Sequence, residues 1–156
     1  MFFIEILFQK VIIEVKNKNV FKRGVIMYGF SIFLHEEIST ETLSYMEEMV
    51  EIGFRGIFSS IHIPEDDDSK YMSRLQKVGS FAKQHQLEFV VDISGSALEK
   101  IGISIDDLAP LREMGLTGIR IDYGISMASV AKISQQMDVA LNASTISESD
   151  FAALKE

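Results

Sequence analysis

From Met27 onward the hydrophobic positions change period repeatedly. "YGFSIFL" (28–34) is a short apolar run of strand type. "STETLSYMEEMVEIG" (39–53) opens on a Ser/Thr cap, carries helical spacing at Leu43, Met46, Met49 and Val50, and closes on Gly53. "RGIFSSIHI" (55–63) predicts a strand, and "DSKYMSRLQKVGSFAKQHQ" (68–86) a helix with its stripe at Tyr71, Met72, Leu75, Val78 and Ala82. "LEFVVDIS" (87–94) predicts a strand. Residues 96–115 hold one or two short helices, broken around "GIS" (102–104). A strand over 117–124, a helix over 126–137, a strand over 138–144 and a Ser-capped helix from 147 complete the pattern.

Strand and helix alternate about every 30 residues, the mark of βαβ units on a parallel sheet. "EIGFRGIF" (51–58) echoes "EMGLTGIR" (113–120) 62 residues later. In each copy the first glycine ends a helix and the second permits close passage into the next strand. A flavodoxin-like sheet also gives such alternation, but repeated glycine-bearing joints favour a (β/α) barrel. A whole barrel needs eight units and about 250 residues. The expected fold is therefore α/β: a partial (β/α)8 TIM-type barrel of about five units over 27–156, behind an extra N-terminal segment, 1–26.

Charge separates the two parts. Residues 1–26 carry five Lys/Arg and two Glu, a net of +3; residues 27–156 carry ten Lys/Arg and 21 Asp/Glu, a net of −11. The overall −8 argues against nucleic acid, whose phosphates need clustered cations. The chain has no cysteine, so there is no disulfide framework or thiolate metal site. No run is long and apolar enough to cross a membrane, and "MFFIEILFQKVIIEV" is interrupted by Glu5, Lys10 and Glu14 and lacks the parts of a signal peptide. The expected location is the cytoplasm. "FKRGVIM" ends at a methionine just before the first strand, and its codons can spell a purine-rich ribosome-binding tract. Met27 is thus the expected natural start, with a strand pair of "FFIEILF" and "KVIIEV" as the alternative.

Strand side chains alternate faces. Ile119 and Ile121 should meet the outer helices, which sends Arg120 and Asp122 toward the barrel axis. The same alternation sends Val90 and Asp92, Ala140 and Asn142, and Ser60 and His62 inward. Polar residues thus gather at the C-terminal ends of strands, where barrel active sites lie. Each also has a plainer reading. His62 is a turn residue, Asp92 and Asp122 neutralise Arg120 as a structural ion pair, Asn142 caps a loop, and Glu65 to Asp68 form a solvated turn and charge the start of the next helix. "SGSA" (94–97) is too short for a phosphate loop. Asp92 and Asp122 fall on neighbouring strands about 4.8 Å apart. Close acids split their pKa values, as glycoside hydrolysis by paired carboxyl groups requires. A 2-acetamido sugar supplying its own nucleophile is the other route. An isomerase or aldolase using a Schiff base would want a lysine at a strand tip, and there is none.

"YGFSIFL", "GFRGIFSSIHIPEDD", "VVDIS", "GIRIDYGIS" and "LNAST", in this order, resemble the bacterial 6-phospho-N-acetylmuramidase family, long described as uncharacterised or "outer surface" proteins. The resemblance covers residues 27 to 156, and "SSIHIPEDD" is its most specific piece. It implies a cytoplasmic hydrolase that cleaves the β-1,4 link of a phosphorylated amino-sugar disaccharide imported by a phosphotransferase system. The products are N-acetylmuramic acid 6-phosphate and N-acetylglucosamine, in cell-wall recycling. It also implies a barrel followed by a smaller β-rich domain. This chain departs from the pattern by lacking the last barrel strands and the second domain. The expectation is therefore a fragment, inactive alone, with Asp92 and Asp122 catalytic and Ser60, His62, Glu65 and Asn142 binding sugar. No cofactor or metal is expected. The alternative is a non-catalytic half-barrel that associates with itself or with a complementary half through its open edge.

Overall fold

The computed structural model describes residues 28–34, 37–61, 68–121 and 125–141. Among these residues, one or two helices separate each strand from the next: β1 (Gly29–Ser31), α1 (Thr40–Ile52), β2 (Gly56–Ser60), α2 (Asp68–Gln84), β3 (Glu88–Ile93), α3 (Gly95–Lys100), α4 (Ala109–Glu113), β4 (Gly118–Ile121), α5 (Met127–Ser134) and β5 (Asp138–Leu141). The N-terminal segment and the helix expected from 147 lie outside the described residues.

All four strand pairings are parallel, and the sheet order is β1-β2-β3-β4-β5. The order advances without the reversal that a flavodoxin-like sheet requires. Right-handed crossovers in one direction put the described helices on the same face. That face is closed. Ile57, Phe89, Val91, Ile93, Ile119 and Ile121 are buried there with Leu75, Val78, Ala82, Leu111 and Ile133 of the helices. The architecture is α/β and is consistent with part of a (β/α) barrel.

Local chemistry explains the boundaries. Ser39 caps α1 by accepting from the Thr42 amide at 3.2 Å. Gly53 ends α1 at φ +112°, with its amide on Val50 and the Phe54 amide on Met49. Gly115 repeats this at φ +106°, with bonds to Arg112 and, from Leu116, to Leu111. These are Schellman ends, in which a left-handed residue satisfies the last carbonyls. Gly102, at φ +70°, and Gln86, at φ +55°, make the same pair of bonds. The internal echo in the sequence is thus one joint used repeatedly. The break expected near residue 102 falls at Gly102, and Pro110 sits in the first turn of α4.

The apolar run at 28–34 gives a strand of only three residues, although the Ile32 amide still reaches the Phe58 carbonyl at 2.9 Å. Between α3 and α4 one side chain replaces regular structure: Gln136 Oε1 accepts from the Leu108 amide at 2.8 Å, and Nε2 donates to the Ile105 carbonyl at 2.9 Å.

Candidate functional site

The polar residues stand on the face of the sheet opposite the described helices. Register sets Ser60 beside Asp92, Asp92 beside Arg120, and Arg120 beside Ala140, so the four form one row across β2 to β5. Ser31, Phe58, Val90 and Gly118 form the row beneath. Alternation produces both rows, since the intervening residues point to the helices.

The centre of the upper row is an ion pair. Arg120 Nε donates to Asp92 Oδ1 at 3.1 Å, and Nη2 donates to Oδ2 at 2.8 Å. The guanidinium also lies 4.7 Å above the Phe58 ring centroid. A planar fork on a carboxylate and a flat face on an aromatic ring fix its orientation in two directions. The partners differ in depth: the Asp92 side chain is 8% exposed and that of Arg120 30%. Asp92 is the buried anchor and Arg120 the accessible head. Buried pairs of this kind contribute little net stability, because desolvation offsets much of the attraction, while losing one partner is costly.

Two hydroxyls lie on the same face, Ser60 next to Asp92 and Ser31 beside Phe58 in the row beneath. Ser31 Oγ and Ser60 Oγ are buried without a hydrogen-bond partner. Buried orphan donors are uncommon in native proteins, and both stand on this face. On the helix side of the same strands polar groups are satisfied: Ser59 Oγ donates to the Ile32 carbonyl at 2.6 Å.

The strand ends are braced from α2. Tyr71 donates its hydroxyl to the Ser60 carbonyl at 2.8 Å, and burial pushes its pKa well above the usual phenol value. Arg74 donates to the Leu34 carbonyl at 3.0 Å, and Lys77 to that of Ile38. These bonds hold the segment after β1 against the start of α2, beside the end of β2.

Of the residues expected from sequence, Asp92 and Ser60 are described and share the row. His62, Glu65, Asp122 and Asn142 lie outside the described residues. On β4 the residue facing Asp92 is Arg120, so Asp92 meets a cation directly across the strands. Sequence reasoning considered Arg120 only as a neutralising partner and assigned no part to Phe58 or Ser31. The alternation that placed Asp92 places them as well. Among the described residues no group of three or more His, Asp or Glu is arranged to hold a metal ion, and no helix is long and apolar enough to cross a membrane. A concavity lined by Thr40, Glu41, Ser44, Tyr45 and Glu48 runs along α1 and includes no strand residue.

A family model described as 6-phospho-N-acetylmuramidase, N-terminal, matches residues 28–156. The solved structure of a conserved Enterococcus faecalis protein, described as having an unknown function, is similar at 47% sequence identity with a TM-score of 0.75. That similarity covers 83% of this chain and 35% of the Enterococcus faecalis chain, so this chain spans about a third of that protein. Nothing among curated proteins matches the chain.

Proposed function

The chain belongs to the 6-phospho-N-acetylmuramidase family, and from that membership we propose that it forms the opening part of a (β/α) barrel glycosidase domain acting in the cytoplasm. The substrate is 6-phospho-N-acetylmuramyl-N-acetylglucosamine, and the reaction is hydrolysis of its β-1,4 bond. The observation that carries the reading is the Asp92–Arg120 pair on the face of the sheet opposite the described helices. A buried ion pair adds little to stability, so its presence at the site end of the sheet speaks for a role in binding.

Glycoside hydrolysis needs a group to protonate the leaving oxygen and a group to stabilise or attack the anomeric carbon. Both oxygens of Asp92 accept from Arg120, which leaves it poorly placed to deliver a proton. We assign proton chemistry to Asp122 and a charge-holding part in the same reaction to Asp92. Ser60, His62, Glu65 and Asn142 line the sugar site. The 156 residues span about a third of the Enterococcus faecalis chain, and assayed by themselves they should show no measurable turnover, because small misplacements of catalytic groups are costly.

The test is a chimera in which this chain replaces the matching stretch of the Enterococcus faecalis protein. It should hydrolyse the phosphorylated disaccharide, and Asp122→Asn or Asp92→Asn should each lower turnover about 100-fold or more. Near wild-type turnover in both variants would remove them from the mechanism. Robust hydrolysis by the 156-residue chain alone would refute the incomplete-barrel reading.

A second reading is a non-catalytic half that self-associates. It is favoured by exposed Tyr28 and Phe33, at and just beyond the β1 edge. An open parallel edge is a template for pairing. Gel filtration separates the two: a monomer across concentrations speaks against this reading.

A further inference from the structure

We propose that Tyr71 is a positioning residue for the site, its hydroxyl acting on Asp92 through the Ser60–Ile61 peptide unit. The inference rests on the part given to Asp92 in the reading above and adds to it a residue of α2, outside the row on the sheet.

Different neighbours hold the two ends of that peptide unit. Its carbonyl, that of Ser60, accepts from the Tyr71 hydroxyl at 2.8 Å. Its amide, that of Ile61, donates to the Asp92 carbonyl at 2.8 Å. A trans peptide is planar and carries its carbonyl and its N–H on opposite sides, so the unit is a rigid link between α2 and the end of β3. Hydrogen bonds at the two ends of one peptide also polarise each other, which strengthens both. Asp92 is thereby held at its backbone by this link and at its carboxylate by Arg120.

The edge of the sheet shows what the hydroxyl adds. In a parallel ladder a strand offers a carbonyl to a given neighbour at every second residue. On β2 the Phe58 carbonyl takes the Ile32 amide, and the next carbonyl on that side is that of Ser60. The register of β1 with β2 runs only to Ser31, and the chain beyond it is tied to α2, where Arg74 donates to the Leu34 carbonyl. Tyr71 supplies a donor at the step where strand pairing gives out. Its ring is 1% exposed and belongs to the core, where a phenylalanine would fill the same space. The hydroxyl is therefore the part of the side chain that packing alone does not require. Burial keeps the phenol protonated, so it remains a donor at neutral pH.

The test compares Tyr71→Phe, which removes one oxygen and keeps the buried ring, with Lys77→Met. The second variant removes a donor of the same helix that serves the Ile38 carbonyl, outside the row. Both are made in the 156-residue chain for NMR and in the Enterococcus faecalis chimera for kinetics. Tyr71→Phe should shift the Ile61 amide and the Arg120 Nε–H, which donates to Asp92 Oδ1. It should also lower kcat about tenfold with KM within about twofold, the pattern of an interaction realised in the transition state. Lys77→Met should leave the Arg120 Nε–H in place and both kinetic constants within about twofold. Turnover unchanged in Tyr71→Phe, with or without a shift at Arg120, would overturn the inference and leave the family reading standing. Equal falls in kcat for the two variants, or a fall in Tyr71→Phe with no shift at Arg120, would reduce Tyr71 to a structural brace and overturn it as well. If the wild-type chimera does not hydrolyse the disaccharide, the reading of the site fails and takes the inference with it.

Discussion

Arg120 and Asp92 are the residues on which most of the account turns, and their energetics are separable from function. Removing either partner alone strands a buried or half-buried charge, at a cost of about 3–5 kcal/mol, whereas apolar replacement of both is near neutral or stabilising. Urea melts should therefore rank Arg120→Met well below wild type and the Asp92→Leu, Arg120→Met double variant close to it. Equal losses in the single and the double variant would show that the pair contributes as packing alone. Tyr71 makes a second residue-scale prediction. Its folded pKa is raised by burial, so the stability it contributes is fully present below its unfolded value near 10 and is lost as pH rises above that. The melting temperature of the wild type should fall more steeply above pH 10 than that of Tyr71→Phe. The phenylalanine variant should also lose about 1 kcal/mol at neutral pH, because it gives up the bond to the Ser60 carbonyl. Parallel curves would contradict the burial argument. Of these residues, the orientation of Asp92 and Arg120 was legible in the sequence because strand alternation is a strict period of two. Their pairing was legible only as one alternative, an ion pair with Arg120 shared between Asp92 and Asp122, since register between strands depends on the loops and helices that join them.

At the scale of elements, the helix ends are the best-determined features. Gly53, Gly102 and Gly115 occupy left-handed positions where glycine has no steric penalty. Gln86 fills the same position at the end of α2 with a side chain, which costs about 1 kcal/mol. Gln86→Gly should raise the melting temperature by a few degrees, and a decrease would show that the Gln86 side chain contributes contacts that outweigh the strain. Gly79, within α2, has a different constraint. A Cβ there would fall on the Met114 carbonyl, and one at Gly115 would fall on the carbonyl of Gly79, so α2 and the joint before β4 touch backbone to backbone. Gly79→Ala should lose about 2 kcal/mol or more despite alanine's better helix propensity, and a stabilised variant would contradict the contact. The glycines at helix ends were readable from their place after amphipathic runs. Gly79 was not, because a glycine inside a helix signals nothing until the neighbouring segment is known. The Gln136 clamp escaped for the same reason: its partners are Leu108 and Ile105, 28 and 31 residues away.

For the whole molecule, the alternation of strand and helix was enough to anticipate a parallel α/β sheet, and the strand order then followed the chain one unit at a time. The helices cover one face and leave the Ser60–Asp92–Arg120 row on the other. The central claim is that this second face, at the C-terminal ends of the strands, is where the amino sugar binds. Backbone amide chemical shifts of the isotopically labelled chain, followed during titration with N-acetylmuramic acid 6-phosphate, test it most directly. The account predicts saturable shifts centred on Ser60, Ile61, Asp92, Ile93, Arg120 and Ile121, with α1 through Glu48 little changed. Shifts confined to the concavity along α1, or no saturable shifts at the strand ends, would contradict it.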